Sequence, residues 1–114
     1  MPETLGQRIR RKRDERQLGL REAARSVDIS PAYLSRIETG EEKTPPGEGV
    51  LKSLALLLGD SVDELMHLAG RVPADVADMI KADAELPQFL RTARERGMGG
   101  KELSDLLDTK KRRR

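Results

Sequence analysis

Apolar residues recur along this chain at intervals of three and four, the spacing that lays them on one face of a helix, and the pattern reads as all-α. Leu5 and Ile9 give the inward face of a first helix over about Thr4 to Arg16, and Leu20, Ala23, Ala24 and Val27 give a second. The series breaks at Asp28 and restarts on a new axis with Ile29, Leu34 and Ile37. Ser30 before Pro31 is an N-cap followed by the residue best tolerated at the first helical position, so a third helix starts there. It ends at Gly40, a residue suited to a left-handed C-cap. Ala23 and Ala24 are small enough for the second and third helices to cross closely, as a helix-turn-helix with a tight turn requires.

The loop EEKTPPGEG carries Pro-Pro and glycines that hold off the next helix until Gly49 or Val50. Val50, Leu51, Leu54, Ala55 and Leu58 then make a fourth helix apolar over much of its circumference, which belongs in the centre of a bundle. Gly59 ends it. Ser61 with Glu64 three residues on predicts a capping box for a fifth helix, SVDELMHLA, with Val62, Leu65 and Met66 inward. Gly70 closes a first domain, residues 1–70. Beyond it, Val76, Met79 and Ile80, then Leu86, Phe89, Leu90 and Ala93, then Leu103, Leu106 and Leu107 predict three more short amphipathic helices, split at Leu86-Pro87 and at Gly97-Met98-Gly99-Gly100. A segment as short as 71–108 cannot hold a core of its own. It has to pack on a second copy of itself, on the first domain, or on another protein, and the first of these is the expectation. The tail 109–114, TKKRRR, has no apolar residue and is expected to be disordered.

Charge sharpens the picture. The net charge of +2 conceals an asymmetry: residues 1–39 hold nine Arg/Lys against six Asp/Glu, residues 40–108 hold eight against fourteen, and the tail adds five positive charges. A polyanion would therefore prefer the N-terminal third and the tail. With 36% apolar residues, one Phe, one Tyr and no Trp, the core is modest and aliphatic, and the absence of cysteine removes disulfides and thiolate metal sites. No apolar run approaches the ~20 residues of a membrane span, and MPETLGQ lacks a signal peptide's apolar stretch. A soluble, cytoplasmic protein is expected.

Candidate chemistry is sparse. His67 is the lone histidine, at a surface-like position without metal-ligating neighbours in sequence. GEG and GMGG do not follow strands, and no nucleophile-base pairing can be assembled. The expectation is a protein that is not an enzyme and carries no metal or cofactor.

Ala24 before the turn, Ile29-Ser30 after it, and Leu34, Ile37, Glu38 and Gly40 in and after the third helix compose the run IS-PAYLSRIE-TG. In this combination the segment resembles the helix-turn-helix of the Xre/Cro, lambda-repressor-like regulators, a resemblance that extends with LGQRIRRKR, LKSLALLLG and VDELM over residues 1–70. Leu20 stands where that family usually has Gln, and Asp28 where Gly is usual, so the turn must be made by a residue that tolerates left-handed geometry. The resemblance implies a five-helix DNA-binding domain followed by a short C-terminal helical segment. It further implies an internal ion pair between Arg13 and Glu38, and contacts from Lys43 and Thr44 to the DNA backbone.

A recognition helix reaches base edges with the outward residues of its first turns while flanking groups hold phosphates. That singles out Arg36, which can bind guanine in bidentate fashion, with Ala32 near a thymine methyl and Tyr33 stacking or hydrogen-bonding. Arg36 could serve as a phosphate contact instead, and Tyr33 could pack against the second helix. Ser30 and Ser35 are read as phosphate or capping groups, and Thr39 as a phosphate contact. One such helix spans too few base pairs to find a site in a genome. Two copies with half-sites about 34 Å apart solve that problem, so the expected function is a dimeric repressor, joined through residues 72–108, at a palindromic operator on double-stranded DNA. The alternative is an antitoxin-like or adaptor protein whose C-terminal helices bind another protein. The tail is either a solubilising end or an added phosphate-binding arm.

Overall fold

The structure, a computed structural model, describes residues 2–112, with side chains described to Thr109. It comprises eight helices and, among the described residues, no strand: α1 Leu5–Glu15, α2 Leu20–Ser26, α3 Pro31–Thr39, α4 Glu48–Leu58, α5 Val62–Leu68, α6 Ala74–Ala82, α7 Glu85–Glu95 and α8 Gly100–Arg112. They fall into two compact units, Met1–Pro73 and Ala74–Arg114.

The first unit is built around α4. Leu51, Leu54, Ala55 and Leu58 of that helix are buried together with Ile9 of α1, Ala23 and Ala24 of α2, Leu34 and Ile37 of α3, and Leu65 and Met66 of α5. α1 packs on α3 and α4, α2 on α3, and α4 on α5. Local chemistry sets the boundaries. The Thr4 hydroxyl accepts from the Gln7 amide while the Gln7 side chain accepts from the Thr4 amide, a reciprocal cap that starts α1. Gly40 and Gly59, both in the left-handed region, terminate α3 and α4. α4 begins slightly earlier than the sequence pattern predicts, at Glu48 after Gly47.

At α5 only half of the expected capping box forms. The Ser61 hydroxyl accepts from the Glu64 amide, but the Ser61 amide donates to the Asp60 carboxylate at 2.7 Å rather than to Glu64. The reason is tertiary: Arg8 holds the Asp60 carboxylate in place.

In the second unit the break between α6 and α7 falls at Asp83-Ala84, not at Leu86-Pro87. The Asp83 carboxylate accepts from the Glu85 amide at 3.0 Å, so the helix starts before the proline. Pro87 then lies in the first turn, where a backbone N–H has no intrahelical partner to lose. Ala93 is the one hydrophobic residue of this unit that is fully withdrawn from solvent among the described residues, whereas Met79, Phe89, Leu90, Leu106 and Leu107 are exposed. Thr109–Arg112, expected to begin a disordered tail, continue α8, because helical hydrogen bonding carries on past the last leucines. Arg113 and Arg114 lie outside the described residues. No described helix is long and apolar enough to cross a membrane.

Candidate nucleic-acid interface

Two backbone devices orient α3 on the bundle. Asp28 adopts φ 58°, and the Ile29 amide donates to the Ala24 carbonyl at 3.0 Å, so the chain leaves α2 sharply. The Ser30 hydroxyl then accepts from the Tyr33 amide at 3.0 Å, and Pro31 occupies the first helical position. Ser30 is thereby engaged as a cap. Ala32, Arg36 and Thr39 are exposed along the helix, and Ser35 is half-buried. Tyr33 is also half-buried and packs against the edge of the core.

The far end of α3 is pinned to α1. Arg13 donates from Nε and Nη2 to the two carboxylate oxygens of Glu38, at 2.8 and 2.9 Å, and from Nη1 to the Leu18 carbonyl at 2.8 Å. These side chains are only 12% and 5% exposed. The hydrogen bonds from Arg13 to Glu38 raise the arginine pKa above its ordinary value, despite partial burial. At Gly6 the α1 backbone comes so close to α3 that an added Cβ would collide with the Ile37 and Glu38 carbonyl groups. A second fork joins α1 to the α4–α5 turn: Arg8 donates to both oxygens of Asp60 at 2.9 and 2.7 Å. Burial pushes the Asp60 carboxyl upward, but the hydrogen bonds from Arg8 and the Ser61 amide, with the charge of Arg8, outweigh it and hold the carboxyl below its ordinary value.

Arg36 is less free than its exposure suggests. Its Nε donates to a Glu42 carboxylate oxygen at 2.9 Å, and its guanidinium carbon lies 5.8 Å from the Tyr33 ring centroid, within cation–π range. The Thr39 hydroxyl donates to the Glu41 carboxylate at 3.2 Å. Lys43 and Thr44, exposed in the loop after α3, make no hydrogen bond or ion pair among the described residues. That loop is held at both ends, by the Glu42 amide on the Arg36 carbonyl and by Arg71 donating to the Pro45 and Pro46 carbonyls at 2.7 and 2.6 Å. The structure thus gathers Ser30, Ala32, Tyr33, Arg36 and Thr39 on one helix and its cap, with Lys43 and Thr44 on the adjoining anchored loop. Sequence reasoning missed Gly6, Asp60 and Arg71, and it noted Glu41 and Glu42 only as acidic neighbours of Lys43 and Thr44, without the contact from Arg36 to Glu42. The one available signal was the pair of glutamates directly after a helix chosen to meet a polyanion. Among the described residues no group of three or more His, Cys, Asp or Glu side chains is placed to hold a metal ion.

A short helix clamped by its flanks to a bundle, carrying a basic and aromatic outward rim, defines a DNA-binding domain of the helix-turn-helix class. The helix-turn-helix domain family matches this chain over residues 6–71. The transcriptional regulator DdrOP3 of Deinococcus deserti is 35% identical over 117 residues, covering 91% of this chain and 88% of its own length. A crystal structure of SinR, the master regulator for biofilm formation, in complex with DNA aligns with a TM-score of 0.51 at 32% identity, over 55% of this chain and 98% of that one. A SinR–SinI complex aligns with a TM-score of 0.52 at 27% identity, over 96% and 97% of the two chains. The chain belongs to the helix-turn-helix transcriptional regulators of the Xre/Cro type.

Proposed function

We propose that this DNA-binding regulator acts as a dimeric repressor, placing α3 of each copy in the major groove of a palindromic operator. The observation that carries the reading is the outward rim of α3, where Tyr33 and Arg36 lie side by side on a helix locked by Arg13 and Glu38. In this reading Ala32, Tyr33 and Arg36 face base edges, while Ser30, Ser35, Thr39, Lys43 and Thr44 hold phosphates and fix the register. The partly buried ring of Tyr33 offers the groove an edge rather than a freely swinging side chain. SinR, seen bound to DNA over the part that matches this domain, supports the assignment.

The second unit supplies the dimer. About 41 residues with one withdrawn apolar side chain cannot hold themselves folded. Burying Met79, Phe89, Leu90, Leu106 and Leu107 against a second copy would provide the missing core. The alternative, that these faces hold another protein, is favoured by the full-length likeness to SinR in its complex with SinI. No catalytic residue is assigned, and a regulator of this kind works in the cytoplasm, where a bacterial chromosome lies.

Selection of bound duplexes from a random pool, with the wild type and Arg36→Ala, tests the reading. The wild type should enrich a two-fold-symmetric sequence, and R36A should lose about tenfold of base preference at one position in each half-site, the usual value of a bidentate contact. A variant with unchanged selectivity removes Arg36 from the base-reading set, and a wild type that enriches nothing overturns the operator reading.

A further inference from the structure

Glu42 has no part in the reading above, yet it touches the residue on which that reading leans most. We infer that Glu42 is a specificity-determining residue that braces Arg36 for guanine and keeps it from phosphate, an inference that rests on Arg36 reading a base. The loop makes this possible. Gly40 turns the chain through the left-handed region, and the Glu42 amide returns to the Arg36 carbonyl at 3.1 Å, so the Glu42 side chain is delivered to the α3 rim by its own backbone. Arg36 is then held at three points: its carbonyl, its Nε on the carboxylate, and its guanidinium face beside Tyr33.

The geometry selects what the arginine has left to offer. An arginine carries five N–H donors in a rigid plane. Only the Nε donor is engaged; among the described residues the two Nη groups make no hydrogen bond. A guanine O6/N7 contact needs two parallel donors, and the Nη end of the plane supplies them. Charge acts in the same direction. A guanidinium already paired with a carboxylate is a weaker point attractor for phosphate, while its directional hydrogen bonds to neutral base edges remain. The carboxylate itself repels the DNA backbone, which penalises non-specific approach. With side chains 47% and 25% exposed, the pair adds little to fold stability. Its effect lies in fixing one long side chain before the DNA arrives.

The full-length protein carrying Glu42→Ala, Glu42→Gln or Arg36→Ala is compared with the wild type by duplex selection, and by titration against random-sequence duplex at several salt concentrations. E42A should lose about two- to tenfold of guanine preference at the position where R36A loses it, the factor expected on freeing one rotamer-rich side chain. It should also bind random duplex more tightly than the wild type, because a negative charge beside the phosphates is gone. E42Q, whose amide oxygen still accepts from Nε, should keep most of the preference while sharing the tighter non-specific binding. If E42A keeps the wild-type preference where R36A loses it, the brace is overturned and the base-reading role of Arg36 stands. If E42Q loses the preference as fully as E42A, the held geometry is refuted. If R36A changes nothing, the reading beneath the inference fails with it.

Discussion

Replacing Glu38 by alanine should cost the N-terminal unit about 3–4 kcal/mol of stability, and the figure follows from what Arg13 would be left with. The guanidinium is 12% exposed and gives two of its donors to Glu38, at 2.8 and 2.9 Å. Without the carboxylate, the largely withdrawn guanidinium keeps the Leu18 carbonyl at 2.8 Å and the exposed Asp14 carboxylate at 3.9 Å, which replace only part of a bidentate pair. Breaking one side of a buried pair costs about 3–5 kcal/mol, and the residual exposure of Arg13 places this case at the lower end. For a unit of 73 residues, a typical stability of ~0.05–0.15 kcal/mol per residue gives about 4–11 kcal/mol in all, so the substitution removes a large share of it. Urea unfolding is the assay. With a slope of ~1 kcal/mol/M for a small unit, the midpoint should fall by about 3 M. A cycle is completed by Arg13→Met, Glu38→Met and the double substitution that combines them. The double substitution removes both charges and should cost less than the two single changes together, by at least ~1.5 kcal/mol. A Glu38→Ala loss below ~1 kcal/mol, or strictly additive effects, would refute the claim that this pair clamps α3 to α1.

Gly6→Ala should destabilise by about 2 kcal/mol although alanine is the better helix former, because the new methyl meets the backbone carbonyls of α3 rather than a side chain that can swing away. A melting temperature equal to the wild type's would show that the two helices can separate without cost. The Arg8–Asp60 pair sets an acid response. The folded-state Asp60 pKa lies below its ordinary 3.8, so its contribution is complete above that value and is lost as pH falls through the lower folded one. Asp60→Asn should flatten the stability profile in that acid window and lower stability at neutral pH; parallel acid profiles for the two proteins would exclude the role. A protein ending at Pro73 should stay helical, sediment as a monomer and bind operator DNA far more weakly. Sedimentation as a dimer would take the second unit out of the assembly.

Punctuation was readable in the residues: Ser30-Pro31 opens α3, Gly40 and Gly59 close α3 and α4, and Asp28 turns the chain between α2 and α3. So was the core, since Leu34, Leu51, Leu54, Leu58 and Leu65 repeat at helical spacing and all prove buried. Caps and apolar faces act over three or four residues, and a local pattern carries them. The Leu86-Pro87 boundary was misplaced because proline is a breaker inside a helix but is tolerated in its first turn, and only the Asp83 cap distinguishes the two.

The amino-acid order alone therefore settled the helical class, the helix-turn-helix and the rim from which Arg36 projects. Which partners those residues keep was settled by the folded chain: Arg36 with Glu42 across a left-handed turn, Arg8 with Asp60 across 52 residues, and Gly6 against the α3 carbonyls. The physical reason is range. Hydrogen-bond periodicity and capping are fixed by neighbours in the chain, whereas ion pairs and close backbone approaches depend on where helix packing brings distant segments, and no short stretch of residues encodes that distance.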